Sequence, residues 1–102
     1  MPEMHFIARW PDDAVQAYYS PSLVVREYLE AGTTYALPEF VARSRTALRI
    51  ASDRVREKYG YACSRAALTL AHIEEKAREF VDLPNASVVV EAHRDSLHGG
   101  CE

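Results

Sequence analysis

The chain has 102 residues, 48% of them hydrophobic and 26% charged, with a formal charge of −3 and a pI near 5.8. That length corresponds to one domain of the usual size, with enough apolar residues for a modest core. The acidic total argues against general nucleic-acid binding, which favours a basic domain.

Met4 to Trp10 alternates so that Met4, Phe6, Ala8 and Trp10 share one side, which predicts a strand. Pro11-Asp12-Asp13 supplies turn chemistry, and a second strand, Val15 to Tyr19, is expected to return antiparallel. In Ser20-Pro21-Ser22 a serine can cap a helix whose first residue is proline. A short helix from Leu23 to Glu30 follows, with Val24, Val25, Tyr28 and Leu29 at helical spacing and Gly32 as its left-handed stop. Thr33 to Leu37 reads as a connector.

Pro38 opens a long helix from Glu39 to Tyr59, ended by Gly60, whose apolar face is Phe40, Val41, Ser44, Ala47, Leu48, Ala51, Val55 and Tyr59. At the joint that follows, Ser64 is the expected cap and the tyrosines are expected to pack around the corner. A third helix runs to about Val81 and buries Ala66, Leu70, Ile73, Ala77 and Phe80, before Asp82-Leu83-Pro84-Asn85 breaks it. Ala86 to His93, with its three consecutive valines, is the last strand. The order β-β-α-α-α-β gives an α+β domain, with a three-stranded antiparallel sheet and helices packed on one face. It spans residues 1–95, and residues 96–102 form a flexible tail.

Two features raise the question of chemistry. Cys63 precedes a helix, where unpaired N–H groups and the neighbouring Arg65 favour a thiolate, making it the candidate reactive thiol. No histidine near it in sequence supplies the base that nucleophilic catalysis requires, and a packed helix joint accounts for the motif without chemistry. From Arg43 to Arg65, seven cations face two acids, a net +5 within a chain of −3. Such asymmetry suits an acidic partner surface or an anion, against the simpler reading of a solvated helix face with pairs such as Arg49 with Asp53. Arg43, Arg45, Arg49 and Arg56, with Trp10 and Tyr18 of the hairpin, are the candidate surface.

His5, His93, His98 and Cys101 lack metal-ligand spacing, and Cys63 and Cys101 form neither a disulfide framework nor a paired-cysteine motif. Glu74 and Glu75 are adjacent and point to different sides of a helix, and no glycine-rich phosphate loop occurs. No catalytic residue, cofactor or metal is therefore expected. The longest aliphatic run is Val88-Val89-Val90 and no signal-peptide pattern opens the chain, so the expected setting is the cytoplasm, without a membrane span.

The strings MHFIARWPD, YSPSLVVREY and LPEFVARSRTALRIASDRVREKYGYACSRA resemble those of small bacterial nitrogen starvation response proteins, encoded in gene clusters built around a nitrilase. The similarity spans almost the whole chain. Pro11-Asp12-Asp13 departs from it, since a glycine is expected after the first aspartate. The resemblance implies an accessory role beside the cluster's radical-SAM, acetyltransferase-like, flavin-dependent and glycosyltransferase proteins, and it carries no catalytic residue over. Three readings follow: a non-catalytic interaction protein with a partner from the cluster or a second copy of itself; a binder of an anionic nitrogen metabolite through Arg43, Arg45 or Arg49; and a cysteine-dependent enzyme, the least supported.

Overall fold

The computed structural model describes residues 3–61 and 63–95. The expected tail, 96–102, lies outside them. The element order is β1 (Met4–Arg9), β2 (Val15–Ser20), α1 (Val25–Tyr28), β3 (Thr33–Ala36), α2 (Leu37–Tyr59), α3 (Ser64–Arg78) and β4 (Ser87–Asp95). The architecture is α+β, and its antiparallel sheet has four strands in the order β2-β1-β4-β3 rather than three.

The extra strand is the Thr33–Leu37 connector. Thr33 to Ala36 pairs with Val90 to Ser87, and the strand is pinned at both ends by Gly32 N–H on the Val90 carbonyl (2.6 Å) and Leu37 N–H on the Ala86 carbonyl (2.9 Å). Threonine and tyrosine suit a pleated, half-covered surface, but four residues are too few for alternation to stand out.

β1 lies between β2 and β4, and its alternation is the expected one: Met4, Phe6 and Ala8 are fully buried while His5, Ile7 and Arg9 are half-covered. Trp10 continues the buried set. Its ring meets Phe40 of α2 edge-on at 5.5 Å and stacks on Phe80 beyond α3 at 6.1 Å, so one sheet face and both long helices share a core. In β4 the register slips between the partners of Ile7 and Ala8, leaving Glu91 in a bulge, where its carboxylate accepts from Arg9 at 3.1 Å.

The expected helix from Leu23 to Glu30 shrinks to the single turn α1. Ser20 is not its cap: its hydroxyl donates to the Ser22 carbonyl and accepts from the Ser22 N–H, so the two buried serines satisfy a turn instead. α2 begins at Leu37 with proline in its first turn and ends on Gly60 at φ 81°, the left-handed cap that glycine takes without strain. Its buried face matches the expected one except that Val41 is only partly covered and Tyr59 is exposed. Cys63, not Ser64, caps α3: its Sγ accepts the Ala66 N–H at 3.4 Å.

Candidate functional site

An open groove of about 720 Å³ lies between the start of α2 and the end of α3. Leu37, Val41, Ala77, Phe80, Val81 and Leu83 give it an apolar floor and wall. Val81 is 74% exposed and Leu83 50%. Both follow the last turn of α3, which ends at Arg78 rather than at about Val81 as expected, while Leu83 belongs to the segment read from sequence as the helix breaker. The helical spacing from Ala77 places Val81 on the expected helix, and Leu83 has no helical or strand period to place it.

Arg45 and Glu74 meet across the groove's rim at 2.7 Å, a half-exposed pair. Such a pair contributes little to stability, on the order of 0–1 kcal/mol. Along α2, Arg49 and Arg56 follow Arg45 by four and eleven residues, which keeps all three on one side of the helix. Arg49 and Arg56 make no ion pair among the described residues, and the expected Arg49–Asp53 pair does not form. The apolar groove thus runs on into a basic stripe.

Other candidate residues lie elsewhere. Arg43 is directed away from the stripe: its guanidinium bonds Glu39 at 2.8 Å and the Tyr28 carbonyl at 3.0 Å, and stands 5.2 Å above the Tyr35 ring. The hydrogen bond to Glu39 raises its pKa. Trp10 and Tyr18, expected on a docking surface, are interior, at 1% and 7% exposed. The indole N–H donates to the Tyr18 hydroxyl at 2.9 Å, so the hairpin's aromatic side is core rather than contact surface. The exposed aromatics are Tyr59 and Tyr61, whose rings lie 6.1 Å apart at the helix joint and do not pack into the corner. Cys63 is buried and is not a free thiol in the structure. It is disulfide-bonded, which corrects both the expectation of unpaired cysteines and the reading of Cys63 as a reactive thiol, and its Sγ also caps α3.

On the opposite flank of α3 a second cleft of about 470 Å³, with charged side chains among its lining, runs beside β2. Among the described residues no cluster of histidine, cysteine and carboxylates could hold a metal ion, and no helix is long and apolar enough to cross a membrane. Sequence comparison finds that the model of the family described as nitrogen starvation-induced protein NitG matches residues 5–93. No curated protein and no solved structure matches the chain.

Proposed function

We propose that this chain, which belongs to the nitrogen starvation-induced protein NitG family, is a non-catalytic accessory protein that docks a protein partner of the nitrilase-containing cluster through the α2–α3 groove. The observation that carries the reading is the open apolar groove with Val81 and Leu83 at its lip, continuous with Arg45, Arg49 and Arg56. Apolar side chains left in water beside a charged margin are what a docking surface requires: burial supplies affinity, and the cations select an acidic, amphipathic segment. An open, largely apolar groove suits docking better than a reaction centre, which must exclude water.

An anion held by Arg43, Arg45 and Arg49 together is less well supported, because Arg43 and Arg45 each bind a carboxylate on different sides of α2. The deciding experiment is affinity capture from nitrogen-starved cells with tagged native protein, Val81→Asp/Leu83→Asp and Arg45→Glu/Arg49→Glu. Native protein should retain a cluster-encoded protein, and each folded variant should lose it. Equal retention by all three proteins, with melting temperatures unchanged, sinks the reading.

A further inference from the structure

The cleft between β2 and α3 has the chemistry of a second site, independent of the groove. A charged contact stands toward each end of it. At one end the Arg65 guanidinium lies over the Tyr19 ring, 3.7 Å from its centre. At the other, Lys76 of α3 bonds Asp12 of the β1–β2 turn at 2.8 Å. Between them the floor is Gln16 to Tyr19 of β2. Because β2 is an edge strand, every second residue there turns a backbone N–H and C=O outward, away from β1 and without a strand partner among the described residues.

The charges within the cleft are not equivalent. Lys76 is shared by Asp12 and Glu79, at 2.8 and 3.4 Å. Arg65 and Glu75 both line the cleft, and neither makes an ion pair among the described residues. A guanidinium stacked on a ring keeps its in-plane N–H groups for a carboxylate. A polyanion would meet Glu75 and Glu79, and a simple cation would meet Arg65. Only a molecule with both signs of charge satisfies the two open partners. Arg65 and Glu75 are ten residues apart on one helix, a rise of roughly 15 Å, and extended backbone advances about 3.3 Å per residue. That rise equals roughly four to five extended residues between the Cα atoms, and the reach of the Arg65 and Glu75 side chains toward each other brings the two charges of a ligand to the span of about three.

We infer that this cleft binds a zwitterion of short-peptide size, with its carboxylate on Arg65, its ammonium on Glu75 and its amides on the β2 edge. The test is an amide NMR titration of the full chain with triglycine, triglycine amide, N-acetyltriglycine and inorganic phosphate. Triglycine should shift Gln16 to Tyr19 and the α3 residues facing them, and each blocked peptide should bind roughly fivefold more weakly, as one exposed ion pair predicts. Arg65→Gln should erase the preference over the amide alone, and Glu75→Gln the preference over the acetylated peptide alone. Absence of shifts at the cleft, equal binding of all three peptides, or phosphate binding as well as triglycine overturns the inference. Val81→Asp/Leu83→Asp should leave the titration unchanged, which separates this site from the docking groove.

Discussion

Trp10 is the residue on which the core closes, since its ring touches Tyr18, Phe40 and Phe80 while its N–H is satisfied by Tyr18. Trp10→Ala should cost about 3–5 kcal/mol, and Tyr18→Phe, which orphans the indole donor, about 1–3 kcal/mol. Urea unfolding followed by circular dichroism checks both, and a Trp10→Ala cost near zero would contradict the packing described. His5 offers a pH test. Burial first, and then Arg65, lowers its pKa from 6.5. The unfolded chain therefore takes up the proton earlier, so stability is full above pH 6.5 and declines as pH falls through the folded value. His5→Gln should flatten that part of the stability curve; an unaltered slope would assign it to other groups.

At the scale of elements, the unexpected strand is the most exposed to test. If β3 is part of the sheet, the amides of Gly32 and Leu37, bonded to β4 and to Ala86, should exchange slowly with solvent. Exchange at the rate of an open loop would remove β3 from the fold. The end of α2 makes a separate prediction. Gly60 sits at φ 81° with nothing within 4 Å of an added Cβ, so Gly60→Ala meets only conformational strain. A loss of about 1 kcal/mol is expected. Long elements were legible because their periodicity repeats over many residues: α2 through Phe40, Ser44, Ala47, Leu48, Ala51 and Val55, and β1 through its strict alternation. β3 and α1 have four residues each, too few for a period to be distinguished from a loop.

Across the whole molecule, α3 joins two surfaces of different character, an apolar groove toward α2 and a cleft of mixed, charge-bearing lining toward β2. Lys76 fastens the helix to the β1–β2 turn, and its hydrogen bond holds Asp12 below the usual carboxylate pKa of 3.8 while raising that of Lys76. A depressed carboxylate stabilises above its unfolded pKa, and the contribution disappears as pH falls below 3.8 through the folded value. In Lys76→Met most of that acid-side loss should be absent, leaving the smaller part due to Asp12 accepting the Ala14 N–H. Acid titration of unfolding in the two proteins measures it, and identical acid limbs would show that the clamp does not hold the turn to α3.

The sequence by itself determined the elements whose burial repeats along the chain, the left-handed stop at Gly60, and a basic segment that includes Arg45, Arg49 and Arg56. These are local properties, carried by neighbours within a few turns. Only the tertiary structure decided that Trp10 and Tyr18 face inward, that Arg43 leaves the stripe for Glu39 and Tyr28, and that the connector joins the sheet. The groove and the cleft belong to that second class. Phe80, Val81 and Leu83 are brought against Leu37 and Val41, and Arg65 against Tyr19, by chain reversals. A site made of residues some forty positions apart has no period to announce it, because its geometry exists only once the core has set the helices on the sheet.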